Sequence, residues 1–283
     1  MIDTTAPLSL LEALVLGIVQ GLTEFLPISS TAHLRVVPAL LGWDDPGVSV
    51  TAAIQLGSVA AVIAYFRRDL TQVLTGISRA VRHGQWRDPD ARLGVAMVIG
   101  TLPILVLGLG IKFFWHAGYA SSPLRSVPSI AIVSIVMALF LAMAECMGPR
   151  LKQLGGVTGR DGFVVGLAQA LAVIPGVSRS GSTLTASLFD GWNRADAARF
   201  SFLLGIPAIS IAGLVELKSA LSTSAGAGPL PLLVGIFSAA VVSWLAIDWL
   251  LRFLQRNSTW IFVGYRLVFG AGLLVWWAVK SAN

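Results

Sequence analysis

The sequence predicts an all-α polytopic membrane protein with six transmembrane helices plus two re-entrant helical hairpins in an inverted-topology repeat. Three observations predict it. The 283 residues are 55% hydrophobic and only 12% charged, against about 25% charged in an ordinary soluble domain. Apolar runs long enough to cross a bilayer recur along the chain. Two other apolar runs are broken by proline and hydroxyl-rich sequence in corresponding halves, a pattern that points to a central site. The 29 Gly and 9 Trp suit this class, glycine being frequent in membrane helices and tryptophan at interfaces.

Residues 10–27 predict an apolar helix that ends at Pro27, which lacks an N–H and clashes with the carbonyl four residues earlier. Residues 30–42 are apolar but too short to span, so 10–42 reads as a re-entrant hairpin packed within protein. Residues 48–66 are the first span. Residues 67–92, with six arginines and little apolar periodicity, read as a polar loop. Spans at 93–117 and 127–147 complete repeat one, about residues 8–147. A second interrupted segment, 161–192, is the second hairpin. Spans at 199–217, 229–251 and 259–279 complete repeat two, about 161–280, within a single membrane domain over 1–283. The repeats show in Leu16-Gly-Ile-Val-Gln20 beside Val165-Gly-Leu-Ala-Gln169, and in Leu26-Pro-Ile-Ser-Ser30 beside Ile174-Pro-Gly-Val-Ser178. They lie about 149 positions apart.

A hairpin plus three spans crosses an odd number of times, so repeat two is inverted. Of the 20 Lys and Arg, 13 fall in 67–92, 148–160, 192–199 and 252–256. Lys112, Arg125, Lys218 and Lys280 take the other side, and Arg35, Arg179 and Arg266 lie within membrane segments. The positive-inside rule then places both termini outside the cytoplasm, with hairpin one opening outward and hairpin two inward. Their broken tips meet near the midplane. The net charge of +6 is loop charge, and no nucleic-acid partner is expected. Cys146 alone leaves no internal disulfide or zinc cluster. The start, Met1-Ile2-Asp3, has no basic stretch, so no cleavable signal peptide is expected.

The chemistry concentrates at the two breaks. Gln20 stands one turn before Glu24 on a shared helix face. Ser29, Ser30 and Thr31 follow the break with hydroxyls suited to capping a new helix, and His33 comes next. Ionisable groups at membrane depth are costly and usually face a cavity. At the second break, Arg179 lies between Ser178 and Ser180, followed by Gly181, Ser182 and Thr183. Such a turn opens a helix with free N–H groups and its positive dipole end. The guanidinium fork matches phosphate oxygens. The other half is able to move protons, attack phosphorus or hold a divalent cation.

Singly, each residue has a plainer reading. Glu24 and Arg179 can be a buried ion pair, the serines helix caps and His33 a satisfied bundle histidine. Gln20 and Gln169 can be inter-helix hydrogen-bonders. Their coincidence at two related breaks favours a site. Elsewhere, Arg266 beside Tyr265 reads as structural or snorkelling. Glu145, Glu216, Lys218 and Asp248 near span ends are expected to reach water. Asp44 and Asp45 read as loop caps. His83 and His116 have no metal-ligand neighbours at useful spacing. Asp190-Gly-Trp-Asn-Arg-Ala-Asp196 reads as a helix end, a turn and a new N-cap.

Gln20-Gly-Leu-Thr-Glu-Phe-Leu-Pro-Ile-Ser-Ser-Thr-Ala-His33 and Pro175-Gly-Val-Ser-Arg-Ser-Gly-Ser-Thr183 resemble the two signature motifs of the bacterial undecaprenyl-diphosphate phosphatase family, the integral-membrane bacitracin-resistance type. Ala198-Arg-Phe-Ser-Phe-Leu-Leu-Gly-Ile-Pro207 is similar to a further family segment, so the likeness covers essentially the whole chain. The resemblance implies removal of the terminal phosphate of undecaprenyl diphosphate, recycling the lipid carrier of peptidoglycan and other cell-wall polymers. It also implies a bacterial plasma-membrane location, a site facing the extracytoplasmic side, and Mg²⁺ or Ca²⁺. The family's acidic motif falls on Gln20 and Glu24, its Ser-Ser-Thr-x-His on Ser29, Ser30, Thr31 and His33, and its Ser-Arg-Ser-Gly-Ser-Thr on Ser178 to Thr183. Gln20 departs from the glutamate of many members, which weakens a metal role there; Ala32 replaces a common glycine.

The expected mechanism is in-line attack at the terminal phosphorus. Arg179 with residues 178–183 holds the diphosphate, Glu24 with Gln20 holds the cation or orients the attacking group, and Ser30 or His33 is the nucleophile. His33 is the alternative general acid/base, and direct attack by water stays open. A transporter or flippase for a polyprenyl phosphate is the rival reading, using the same anion site. A homodimer is compatible with the sequence.

Overall fold

The computed structural model describes residues 8–115, 118–119, 122–222 and 228–282. The chain ends and His116 lie outside the described residues, as do the side chains of Glu216 and Lys218. Eleven α-helices occur among the described residues: α1 Leu10–Phe25, α2 Ser30–Leu41, α3 Gly47–Tyr65, α4 Arg67–His83, α5 Pro89–Phe114, α6 Val127–Met147, α7 Gly159–Ala170, α8 Arg179–Phe189, α9 Arg194–Ser222, α10 Pro229–Arg256 and α11 Trp260–Ala282. Five of them, α5, α6, α9, α10 and α11, are long and apolar enough to cross a membrane. The α3–α4 pair passes the same test jointly, with a 67° bend at its break. The protein is an all-α polytopic membrane protein.

The expected polar loop at 67–92 is instead largely the helix α4. Leu70, Val73, Ile77 and Ala80 recur at helical spacing and pack into the core, while the arginines take the other face. Dense arginine masked that stripe. Three spans also outrun their apolar stretches: α5 begins at Pro89, α9 at Arg194, and α10 continues to Arg256. Polarity marks where a helix leaves lipid, and hydrogen bonding carries it further into water.

Small residues let helices meet at backbone distance. A Cβ on Gly17 of α1 would fall 2.4 Å from the Gly235 carbonyl oxygen of α10. One on Gly166 of α7 would fall 2.4 Å from the Gly100 carbonyl oxygen of α5. Gly166→Ala is therefore expected to lower thermal stability in detergent by about 1–3 kcal/mol. Gly264→Ala, where nothing lies within 4 Å, should leave the melting temperature unchanged or higher.

The basic loops gather at one end. Lys152 Nζ donates to Asp161 at 2.9 Å and to Asp190 at 2.6 Å, tying the start of α7 to the end of α8. The second hairpin thus enters and leaves by the same end. Arg92 reaches the Gly156 carbonyl at 2.9 Å, and Arg199 pairs with Asp69. Helix α5 runs from this end for about 39 Å, so the connection into α6 lies at the opposite end.

Burial pushes the Asp161 carboxyl up, but the Thr158 hydroxyl, Asp190 and the Lys152 ammonium outweigh it and hold it at about 2. A depressed carboxylate stabilises the fold above its ordinary value of 3.8 and loses that contribution as pH falls towards 2. Melting curves between pH 5 and pH 2, endpoints bracketing roughly that window, should show a fall in wild type that is shallower in Asp161→Asn.

Candidate active site

Ser9 and Glu12 close a capping box that starts α1, and Leu26-Pro27 ends it. On its last turns Gln20 Nε2 donates to Glu24 Oε2 at 3.0 Å. The chain restarts at Ser29 with φ +76°, and the second break restarts at Ser178 with φ +69°. Side chains rarely accept this left-handed backbone, and such strain concentrates at functional sites. Ser178 caps α8, accepting from the Gly181 N–H at 3.1 Å. Ser29, expected to cap α2, does not: its hydroxyl lies 3.2 Å from the Thr31 hydroxyl, and no side chain caps α2. The two breaks thus share the backbone conformation, φ +76° and φ +69°, but only the second closes a side-chain cap.

Tertiary packing then joins the breaks. Arg179 Nη2 donates to Glu24 Oε1 at 3.2 Å, and Ser30 Oγ donates to Glu24 Oε2 at 2.8 Å. Ser180 Oγ donates to the Leu26 carbonyl at 3.0 Å. One carboxylate therefore receives a guanidinium, a hydroxyl and an amide, all largely buried. Arg179 keeps Nε and Nη1 without any hydrogen-bond partner, although its side chain is only 9% exposed. Two buried donors lacking a protein acceptor are suited to an anion.

A cavity of about 460 Å³ is lined by Gln20, Glu24, Ser29, Ser30, Thr31, Ser178 and Arg179. Leu34, Ile104, Ile130, Val173 and Ile209 supply apolar wall. Tyr119, Arg125, Arg35 and Asp45 also line it. Tyr119 donates to the Val173 carbonyl at 2.6 Å, and the Arg125 guanidinium lies 5.5 Å from the Tyr119 ring centre. No motif marked these two residues. The Ser182 and Thr183 hydroxyls instead donate back to the Arg179 carbonyl at 3.0 and 2.8 Å. They stiffen the first turn of α8 and, like Ser180 and Gly181, do not line the cavity.

His33 lies behind the site. Its Nδ1 is 2.7 Å from the Ser29 carbonyl oxygen, which only accepts, so in the neutral ring Nδ1 carries the proton. Nε2 then accepts the Tyr265 hydroxyl at 2.6 Å, and the ring stacks 4.3 Å from Phe269. Both nitrogens are engaged, and the imidazole is not among the cavity-lining groups. It holds the carbonyl of the strained residue that precedes Ser30.

Arg266 is 1% exposed and structural; the snorkelling alternative fails. Nη1 donates to the Pro27 and Val177 carbonyls, both at 3.1 Å, and Nη2 to Gly176 at 2.7 Å. Nε donates to Ser134 at 3.2 Å. Its position inside an apolar span was the signal; the carbonyls it serves come from distant sequence. Glu145 does not reach water as expected. It is buried, paired with Arg194, and accepts the Thr259 hydroxyl at 2.7 Å, because the basic loops fold over it. Asp45 does cap its loop, accepting the Gly47 N–H at 2.9 Å.

Among the described residues no three His, Cys, Asp or Glu side chains form a metal cluster. Glu24, Gln20 and the neighbouring hydroxyls offer hard oxygens with a single carboxylate. Hard oxygens of this kind are the donor chemistry that magnesium and calcium take.

A family model described as "Bacitracin resistance protein BacA" matches residues 13–272. The chain is 78% identical to the Undecaprenyl-diphosphatase of Synechococcus sp. (strain CC9605), over 100% of both chains. It is 75% identical to that of Parasynechococcus marenigrum (strain WH8102), again over 100% of both. The Undecaprenyl-diphosphatase of Prochlorococcus marinus (strain MIT 9303) is 72% identical over 95% of this chain and 92% of its own.

Proposed function

The chain belongs to the bacitracin resistance protein family, and from that premise we propose that it hydrolyses undecaprenyl diphosphate to undecaprenyl phosphate and inorganic phosphate. The activity recycles the lipid carrier of cell-wall polymers and confers bacitracin resistance. One observation carries the chemistry: the Ser30 hydroxyl donates to Glu24 while the same carboxylate holds Arg179 beside two unpartnered donors.

Glu24 takes the Ser30 proton as Oγ attacks the terminal phosphorus in line. The Oγ–P bond forms, the anhydride P–O bond breaks, and undecaprenyl phosphate departs with the bonding electron pair. Glu24 passes that proton to the departing phosphate. Water then attacks the phosphoserine, the P–Oγ bond breaks, one water proton passes through Glu24 to Ser30 Oγ, and inorganic phosphate leaves. Arg179 and the uncapped start of α2 hold the anionic oxygens throughout. Ser30 is favoured over His33 as nucleophile because both imidazole nitrogens are already engaged. A divalent cation held by Glu24 and Gln20 would neutralise diphosphate charge when bound.

We place the cavity mouth on the extracytoplasmic side of the plasma membrane, with both termini on that side. Support comes from the basic loops, which gather at the end opposite the α5–α6 connection that carries Tyr119 and Arg125. We read the halves as an inverted-topology repeat, since α1 closes on α10 through Gly17 as α7 closes on α5 through Gly166. A homodimer is the assembly to check by mass in detergent.

The test is phosphate release from a polyprenyl diphosphate in detergent, with Mg²⁺ or Ca²⁺ and with EDTA. Wild type should release phosphate, EDTA should suppress it, and Arg179→Ala should lose about 10²–10³-fold in kcat/KM. Folded wild type that releases none would reassign the cavity to lipid movement, measured in vesicles.

A further inference from the structure

We propose that Gly205 is a positioning residue for this reaction: the bare backbone of α9 at this position seats the Arg179 guanidinium. The inference rests on the reading that Arg179 binds the diphosphate. A Cβ built on Gly205 would fall 1.5 Å from Arg179 Nη1, 2.6 Å from Cζ and 3.3 Å from Nη2. All three nearest atoms belong to that one guanidinium. Only a residue with no side chain leaves this space open.

The contrast with the other close-packed glycines decides what the position does. Gly166 meets only backbone of a neighbouring helix, and Gly17 meets the Gly235 carbonyl as well as the Ser238 hydroxyl, so a side chain at either would push helices apart. Gly205 faces the far end of a flexible side chain. A methyl group would be relieved by swinging the guanidinium away, with α9 left in place. Alanine is also the better helix former by about 1 kcal/mol. The fold therefore tolerates the change and the site does not.

The seat determines which donors are free. With the guanidinium lying against α9, Nη2 reaches Glu24 at 3.2 Å while Nε and Nη1 are left without a protein acceptor. Moving it breaks the contact to Glu24 and re-aims both free donors. Glu24 also accepts the Ser30 hydroxyl, so the nucleophile's base is disturbed as well.

The experiment compares wild type, Gly205→Ala, Arg179→Ala and the double variant, full-length in detergent. Phosphate release, inhibition by inorganic pyrophosphate and melting temperature are measured for each. We expect Gly205→Ala to lose about 10²-fold in kcat/KM, the scale set by a misplacement near 1 Å. Pyrophosphate inhibition should weaken and the melting temperature should not fall. In the Arg179→Ala background, Gly205→Ala should cost nothing further, as expected when one residue acts only through the other. Near-wild-type Gly205→Ala beside an impaired Arg179→Ala would overturn the seat and leave the anion site standing. A lowered melting temperature with additive losses would also overturn it, by making Gly205 a packing residue. Full activity in Arg179→Ala would sink the underlying reading first, and the seat with it.

Discussion

Ser30→Ala is expected to abolish measurable phosphate release, a loss of at least about 10³-fold. The hydroxyl donates to Glu24 at 2.8 Å inside the cavity, and no second hydroxyl among the described residues shares that carboxylate. Glu24→Gln keeps the shape but removes the base, and should lose activity on the same scale. The two groups act as a unit, so the double variant should be no worse than either single one. Stability separates chemistry from damage. Ser30→Ala forfeits one hydrogen bond, about 1 kcal/mol. Glu24→Gln strips the countercharge from Arg179, whose side chain is 9% exposed, and breaking such a pair is far more costly. Initial rates and melting curves on the three variants make the measurement. Active Ser30→Ala beside inactive Glu24→Gln would transfer the attack to a water that Glu24 orients.

The second large effect is structural. Arg266→Met should fail to give a monodisperse, folded protein in detergent, or should melt far below wild type. The guanidinium satisfies the carbonyls of Pro27, Gly176, Val177 and Ser134. Each buried acceptor left unpaired costs about 1–3 kcal/mol. Ser134 lies within α6 and keeps its helix amide, but three losses at Pro27, Gly176 and Val177 still rival the whole stability of a domain, roughly 5–15 kcal/mol. Three of the four carbonyls belong to the breaks, where Ser29 and Ser178 sit in left-handed backbone. Without that staple nothing in the local sequence favours those conformations. Arg266→Lys should fall between, because an ammonium has three donors and no planar fork. Size-exclusion profiles and melting curves read the series. Native-like melting of Arg266→Met would remove the staple from the account.

Several features were legible before any coordinates. Low charge and long apolar runs named the class. Pro27 and the glycine- and serine-rich turn at 175–183 marked both breaks, because a missing N–H and a run of hydroxyls end and restart helices whatever surrounds them. Glu24 and Arg179 stood out because charge at membrane depth is expensive, and Ser30 because it sits in the hydroxyl run that restarts the helix. Two misreadings share one origin. Arginine density concealed the apolar stripe of α4, and proximity to a span end suggested water for Glu145, which the basic loops bury. Local polarity reports solvent only when no distant segment folds over it.

By itself the sequence determined the membrane class, the two interrupted segments and the residue types at each break. These follow from hydropathy, backbone covalency and the cost of charge in lipid, all of which act within a few residues. Only the tertiary structure decided which of those residues meet. It brought Arg179 to Glu24 across 155 positions, turned His33 towards Tyr265, and set Arg266 under both breaks. A hydrogen bond depends on a few tenths of an ångström and a direction, and between distant segments only the packing of whole helices supplies both.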